Sequence, residues 1–197
     1  MSVAKREISR DDILPMAEFE AVRAAKSAEI RAVKSNRRVS VGPFTTFYFE
    51  NYETMWWQVH EMLRTEGGGA EQVVDELEAY NPLVPKGREL VATFMIEIPD
   101  EVRRHRELSR LGYIEDKIAL VVAGASIAAV PEQDVERTTP EGKTSSVHFL
   151  HFPMTDDQAA AFKTAGTEVQ LRVDHPEYRH IAILPEEVRA ALAEDLD

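Results

Sequence analysis

Three glutamates lie in apolar stretches of this sequence, where a carboxylate would bind a cation or need a hydrogen-bonding partner. Glu50 ends the segment FTTFYFE, and Glu97 lies inside TFMIEIPD. Glu61 lies on the minor apolar stripe of a tryptophan-rich helix. A buried carboxylate is costly unless it is paired or hydrogen-bonded. One interpretation is therefore a set of Arg–Glu pairs, for which the sequence offers Arg37, Arg38 and Arg64.

A metal site is the alternative interpretation, in which these carboxylates join a histidine. The chain has no cysteine, so an oxygen and nitrogen ligand set would suit iron, manganese or zinc. The predicted ligands are Glu50, Glu61, Glu97 and His148. The wider candidate cluster adds Arg38, Arg64 and His175, with the arginines expected to pair the carboxylates without touching the metal.

The segment EGKTSSVHFLHF, residues 141–152, contains two histidines three positions apart. On a strand their side chains point to opposite faces, so they cannot bind one ion together. A functional His148 is expected on the same side of the sheet as Glu97, facing the stripe that contains Trp57 and Glu61. The alternative is a structural core or edge histidine that hydrogen-bonds a single carboxylate or backbone group, with no vacant pocket beside it.

Two familiar motifs are present only in part. The GKT at 142–144 lacks the glycine that a phosphate-binding loop needs five positions earlier, because Arg137 stands there, and a β-rich run follows it. His60-Glu61 begins like a zinc-protease motif, but Arg64 occupies the place of the second histidine. Neither motif predicts its usual chemistry here.

Composition limits the classes of function. The chain has 197 residues, 44% of them hydrophobic and 29% charged, as in ordinary globular proteins. A net charge of −12 argues against nucleic-acid binding, which depends on neutralising phosphates. The apolar run at 118–130 is too short for a membrane span, and the N-terminus has no apolar signal region. We therefore expect a cytoplasmic protein.

Short strands joined by turns and interspersed with helices predict an α+β fold with a mainly antiparallel sheet, helices packed around it, and one domain over 1–197. A helix is predicted at about 15–34, within the first 40 residues, which hold nine Lys/Arg and six Asp/Glu. Further features include a helix capped by Asn51, strands flanking Gly42-Pro43 and a hairpin around Gly124.

A series of motifs runs in order along nearly the whole chain: NRRVSVGP, FYFEN, QVHEMLRTE, ELEAYNPLVPKG, ATFMIEIPD, KTSSVHFL and DHPEY. In these the sequence resembles an uncharacterised bacterial family, a domain of unknown function. Family members are often encoded beside rubrerythrin-like di-iron and iron–sulfur oxidoreductase proteins. Positions matching the family's motifs include Arg37, Arg38, Glu50, Gln58, Glu61, Arg64, Tyr80, Asn81, Glu97, His148 and His175.

The resemblance implies an accessory or interaction partner of an iron-dependent redox system, with rubrerythrin-like and iron–sulfur proteins as partners. The basic N-terminal helix would make the contact, since the rest of the chain is acidic. The competing hypothesis is a metal-dependent enzyme or metal carrier that uses the Glu/His site.

Overall fold

The computed structural model describes residues 5–133 and 136–197. In this part of the chain six α-helices combine with two antiparallel sheets, and the predicted α+β class is confirmed. The helices are α1 (Met16–Ser35), α2 (Tyr52–Glu66), α3 (Ala70–Tyr80), α4 (Glu101–Leu108), α5 (Asp156–Lys163) and α6 (Glu186–Ala193). None of the helices within 5–133 and 136–197 is both long and apolar enough to cross a membrane.

The strands form two sheets, where the sequence predicted one main sheet. They are β1 (Arg38–Val41), β2 (Thr45–Phe49), β3 (Glu89–Ile96), β4 (Ile118–Val122), β5 (Ala125–Ala128), β6 (Val130–Pro131), β7 (Val147–Pro153), β8 (Val169–His175) and β9 (Tyr178–Ile183). The first sheet has the order β1-β2-β3-β7-β6 and the second the order β5-β4-β8-β9.

Local sequence signals explain where α2 begins and ends. The Asn51 side chain accepts a hydrogen bond from the backbone N–H of Thr54, which satisfies a donor of the first turn. Gly67 follows the last turn in the left-handed conformation, with φ of 64°. Ser9 and Asp12 also form a capping box, but they cap a short 3-10 turn that precedes α1.

The turn between β1 and β2 connects the two sheets. Gly42 adopts a φ of +72°, and a Cβ atom there would lie 2.5 Å from the hydroxyl oxygen of Tyr178 on β9. That hydroxyl donates to the carbonyl of Val41 at 2.7 Å. Only glycine allows both the backbone conformation and this close approach.

Alternation along β3 places its residues on two different faces. Leu90, Ala92, Phe94 and Ile96 contribute to a buried cluster shared with the second sheet, α5 and α6. Val91 belongs to a separate cluster, with Phe149 of β7 packed against it, beneath α2 and the segment after α3. The first sheet is therefore covered on both faces, with a different set of elements on each.

Candidate functional site

A pocket of about 340 Å³ lies on the α2 side of the first sheet. This volume is at the lower end of the range for small-molecule sites. Its walls are apolar, with polar groups from strands and helices directed into it. The apolar lining consists of Phe49, Met55, Leu83, Met95, Val147 and Phe149, and the polar lining of Lys34, Arg37, Tyr48, Glu50, Gln58, Tyr80 and Thr93.

Glu50 is the buried carboxylate of this pocket, with 7% of its surface exposed. Thr93 Oγ1 donates to its Oε1 at 2.7 Å, and Thr54 Oγ1 donates to its Oε2 at 2.6 Å. A carboxylate has about four lone-pair sites, so these two hydroxyls leave acceptor capacity for a ligand. Glu50 is held by neutral donors, and the predicted Arg–Glu pair does not form at its side chain.

Arg37 forms one wall of the pocket, but its charge is already paired. Its Nη2 and Nη1 donate to Asp195 Oδ1 and Oδ2 at 2.7 and 2.8 Å, with both side chains buried. Burial raises the pKa of Asp195, and the hydrogen bonds from Arg37 oppose that rise. Arg37 also contacts the backbone oxygen of Glu50 at 3.4 Å, so the ion pair supports the residue that carries the carboxylate.

Helices α2 and α3 close the pocket opposite the sheet. Burial raises the pKa of the Tyr80 phenol, and its hydrogen bond with Gln58 acts against that increase. Tyr80 therefore stays protonated at neutral pH and can donate a hydrogen bond. Lys34, exposed at the end of α1, supplies a positive charge at the pocket lining.

Glu61 and Arg64, predicted as site residues, lie on the α1–α2 contact instead. Glu61 accepts hydrogen bonds from Arg23 Nε and Nη2 at 2.7 and 2.8 Å, which lowers the pKa of its carboxyl. Arg64 Nε donates to Glu20 at 2.6 Å. Both pairs fix α1 against α2, and neither side chain lines the pocket.

Glu97 lies on the same face of the sheet as the pocket but at its edge. It accepts a hydrogen bond from the Tyr48 hydroxyl at 2.9 Å, and the Arg38 guanidinium lies 4.0 Å away. The predicted Arg–Glu pairing is therefore present between Arg38 and Glu97, as a partly exposed pair. Burial raises the pKa of Tyr48, as does its hydrogen bond to Glu97.

His148 lies on the opposite face of the sheet from the pocket. The register pairs it with Phe94, whose side chain belongs to the inter-sheet core, whereas Phe149 pairs with Thr93. The expectation that His148 would share a face with Glu97 and approach the Trp57–Glu61 stripe is therefore wrong. The side chain is fully buried among core residues.

The His148 ring has two distinct environments. Its Nε2 lies 3.0 Å from the carbonyl oxygen of Ser145, which makes this nitrogen the donor, and 3.2 Å from Thr144 Oγ1. Its Nδ1 makes no hydrogen bond and lies 3.5 Å from Oε2 of Glu115. Burial lowers the pKa of His148 to about 4 and raises that of Glu115.

His175 lies at the end of β8, in the second sheet. Its Nδ1 accepts a hydrogen bond from the backbone N–H of Glu177, and its Nε2 lies 3.2 Å from the carbonyl oxygen of Gly112. Both ring nitrogens therefore contact the backbone: Nδ1 within the β8–β9 turn, and Nε2 on the segment between α4 and β4.

The predicted metal ligands Glu50, Glu61, Glu97 and His148 do not converge. The first sheet separates His148 from Glu50 and Glu97, while Glu61 is bound to Arg23 on α1. Within residues 5–133 and 136–197, no three histidine or acidic residues are placed to hold a metal ion. The structure thus supports the pocket around Glu50 as the candidate site.

Residue-type reasoning did not select two residues of the pocket lining, Thr93 and Tyr48. It also missed Thr54 and Asp195, which lie behind the lining as the partners of Glu50 and Arg37. Thr93 is the polar member of an otherwise apolar alternation in LVATFMI, and this is the signal that could have identified it. Gln58 and Tyr80 entered only through the family motifs, and the structure places both beside Glu50 in the pocket lining.

Comparisons with known proteins agree with this architecture. A search of curated proteins finds no match. A crystal structure of a protein of unknown function from Burkholderia pseudomallei is similar, with 39% sequence identity and a TM-score of 0.89, over 96% of this chain and 99% of that one. The model of a family described as "Protein of unknown function (DUF3501)" matches residues 7–196. The chain therefore belongs to the DUF3501 family.

Proposed function

We propose that this chain is a binding protein for a small molecule with an apolar body and a cationic or N–H donor group. The observation that carries the proposal is the buried Glu50 carboxylate, held by two threonine hydroxyls at the wall of an apolar pocket. A pocket with apolar walls and a few convergent polar groups is typical of a ligand site.

The charges next to Glu50 favour a donor group at its carboxylate, while the positive charge of Lys34 lies at the exposed end of α1. The Arg37 charge is neutralised by Asp195, so the pair adds no net charge to the wall. The donors to the Glu50 carboxylate in the described chain are two neutral hydroxyls, and a ligand cation or N–H would form a charge-assisted hydrogen bond with it. An anionic group would be repelled at this position.

The test uses three matched probes, benzylamine, benzyl alcohol and benzoate, titrated into labelled protein and followed by amide NMR shifts. We expect benzylamine to cause saturable shifts at Glu50, Gln58 and Thr93, with weaker effects from the alcohol and none there from benzoate. Glu50→Gln should remove the preference for the amine. Glu71→Gln, which changes an exposed acid on α3, should keep it.

Two results would contradict the proposal. One is the absence of saturable shifts at the pocket with all three probes. The other is stronger binding of benzoate than of benzylamine. A preference for benzylamine that survives in Glu50→Gln would assign binding to another group and would also overturn the role of Glu50.

We also propose, from the family resemblance, that the binding protein serves an iron-dependent redox system as an accessory partner. Arg23 of the predicted contact helix α1 is bound to Glu61, so reversing its charge would disturb the α1–α2 contact, and the test leaves it unchanged. Arg31 is exposed and Lys26 is partly exposed, and the hydrogen bonds of both side chains stay within α1. Untagged pull-downs should recover rubrerythrin-like or iron–sulfur proteins with wild type and less with Lys26→Glu/Arg31→Glu. Recovery of neither class would remove this proposal.

A further inference from the structure

A second pocket, separate from the one around Glu50, lies where α4 meets a hairpin formed by residues 138–144. Its volume is about 450 Å³. The charged lining comprises Arg104, Arg137, Lys143 and Glu136, and four hydroxyl residues complete the polar lining: Thr139, Thr144, Ser145 and Ser146. A concentration of positive charge is unusual in a chain whose net charge is −12.

The hairpin that carries Lys143 is tightly fixed by its backbone. Thr138 pairs with Thr144 in an antiparallel bridge, and the N–H of Thr139 donates to the carbonyl of Lys143 at 2.8 Å. The N–H of Gly142 donates to the Thr139 carbonyl at 2.8 Å, which closes a turn with Pro140 at its second position. Lys143 therefore projects from a rigid loop, and this loop leads into a strand and not a helix.

Lys143 and Arg104 have no carboxylate partner among the residues that the structure describes. Most other arginines of the described chain form ion pairs, as Arg23 does with Glu61 and Arg189 with Glu186. Within residues 5–133 and 136–197, no acidic side chain lies within 4.0 Å of either Lys143 or Arg104. Two partly buried charges that face one pocket are thus left for a ligand.

Hydrogen bonds orient the groups without using all their donors. Arg104 Nη1 donates to the carbonyl of Ile98 at 3.0 Å, which fixes the guanidinium and leaves its other N–H groups. Thr139 Oγ1 accepts from the Lys143 N–H and Ser145 Oγ from the Val147 N–H, at 3.3 and 3.1 Å. Each of these hydroxyls retains its own hydrogen for a ligand oxygen.

We propose that this pocket binds the phosphate group of a small soluble molecule. A guanidinium fork, an ammonium group and several hydroxyl donors match the multiple oxygens and the negative charge of phosphate. Arg137 adds a third positive charge to the lining, with its guanidinium carbon 4.9 Å from the centroid of the Phe149 ring. The GKT segment lacks the glycine of a phosphate-binding loop and leads into a strand. Phosphate would therefore be bound here by side chains of the pocket, and not by the backbone N–H groups of such a loop.

The test is a titration of the full chain with inorganic phosphate by isothermal calorimetry, at constant ionic strength maintained with sodium chloride. We expect saturable binding to wild type. Loss of a charge-assisted hydrogen bond to phosphate should weaken binding to Lys143→Gln by about tenfold or more. Lys143→Arg should largely restore it. Lys26→Gln removes the same charge from α1, outside the lining of this pocket, and should bind like wild type.

Circular dichroism and the unfolding midpoint of each variant show whether the fold is retained. We expect Lys143→Gln to keep it, because no acidic side chain in the described part of the chain forms an ion pair with Lys143. Absence of saturable phosphate binding to folded wild type overturns the proposal. Equal affinity in wild type and Lys143→Gln overturns it as well, as does an equal loss in Lys26→Gln, which would indicate non-specific charge attraction.

Discussion

The hydroxyl of Thr93 donates a 2.7 Å hydrogen bond to Oε1 of Glu50, and this bond joins the central strand of the first sheet to the start of α2. Thr93 lies in the middle of β3, and Glu50 lies between β2 and α2. The bond fixes one carboxylate oxygen against the sheet, while Thr54 fixes the other. The orientation of Glu50 in the pocket therefore depends on two separate elements.

Replacing Thr93 by valine should destabilise the protein and disorder the carboxylate. The change keeps the shape but removes the donor, and a hydrogen bond to a charged group contributes about 2 kcal/mol. We expect a decrease of this size in the free energy of unfolding measured with urea. Thr65→Val, at an exposed position of α2, should have little effect. An equal loss in both variants would mean that the Thr93–Glu50 bond contributes nothing specific.

Breaking the buried Arg37–Asp195 pair from one side should be costly. Arg37→Met leaves Asp195 buried without its cation, and such changes typically cost about 3–5 kcal/mol. The double variant Arg37→Met/Asp195→Leu should recover part of this loss, since it leaves no unpaired charge. Urea unfolding of both single variants and the double variant measures the coupling. If the losses of the two single variants add up to the loss of the double variant, Arg37 and Asp195 do not interact directly.

An exposed ion pair provides the matched comparison. Arg179 and Asp174 lie 3.0 Å apart, but their side chains are 70% and 76% exposed. Solvent screening makes such pairs weak, so Arg179→Met should leave the free energy of unfolding almost unchanged. A loss as large as that of Arg37→Met would show that burial is not the cause.

Local signals in the sequence predicted the elements of this fold better than their arrangement. The Asn51 cap, the Gly42-Pro43 turn and the hairpin around Gly124 are all present, because each depends on nearby residues. The division of the strands into two sheets was not predicted. It depends on pairings between distant segments, such as β3 with β7, which alternation alone does not specify.

The same distinction applies to the candidate site. Glu50 was identified from its apolar surroundings and does line a pocket. The face occupied by His148 depends on the register that pairs it with Phe94, and a shift of one residue would have reversed it. The partner of Glu61 is Arg23 on another helix, which residue spacing could not reveal.

A single cooperative unfolding transition is expected for the isolated protein. Residues of both sheets, α5 and α6 share one buried cluster, so neither sheet retains a closed core when the other unfolds. Calorimetry should give one peak, with equal calorimetric and van't Hoff enthalpies. Two separated peaks from the monomer would show that the helices α1–α3 or the second sheet unfold independently.

His151 should make stability depend on pH in the neutral to alkaline range. Its Nδ1 lies 2.9 Å from Glu89 and its Nε2 3.3 Å from Glu132, and these carboxylates raise the pKa of the histidine. Because the pKa of His151 is higher in the folded state, its protonation stabilises that state fully below the unfolded pKa of about 6.5. This stabilisation is lost as the pH rises through the folded pKa. His151→Gln should therefore cost more at about pH 6 than at about pH 9, measured with urea.

A variant that removes only the carboxylates tests the cause. Glu89→Gln/Glu132→Gln keeps the His151 ring and replaces its two carboxylate partners with uncharged amides. We expect this variant to lose the same pH dependence as His151→Gln. If the cost of His151→Gln is the same at both pH values, the ion pairs do not contribute.

His148 should produce the opposite pH dependence, on the acid side. Burial lowers the folded pKa to about 4, while the unfolded value is about 6.5. Its contribution is fully present above the unfolded pKa and is lost as pH falls towards 4, with a slope of up to about 1.4 kcal/mol per pH unit. His148→Gln cannot titrate, so urea unfolding of this variant should show a shallower decline between about pH 6.5 and 5, even if it is less stable at neutral pH.

Oε2 of Glu115 lies 3.5 Å from Nδ1 of this ring, and the positive charge of Arg137 helps to lower the pKa of His148. The effect of Glu115 titration on stability must therefore be measured separately from that of His148. Burial raises the pKa of Glu115, so its proton uptake stabilises the folded state as pH falls and partly masks the loss at His148. Glu115→Gln should therefore steepen the decline in stability at acid pH, whereas Glu115→Gln/His148→Gln should flatten it.

Both nitrogens of His148 face protein groups, so elemental analysis of identically prepared wild type and His148→Gln should give equal metal contents. A lower metal content in the variant would instead restore a ligand role for this histidine.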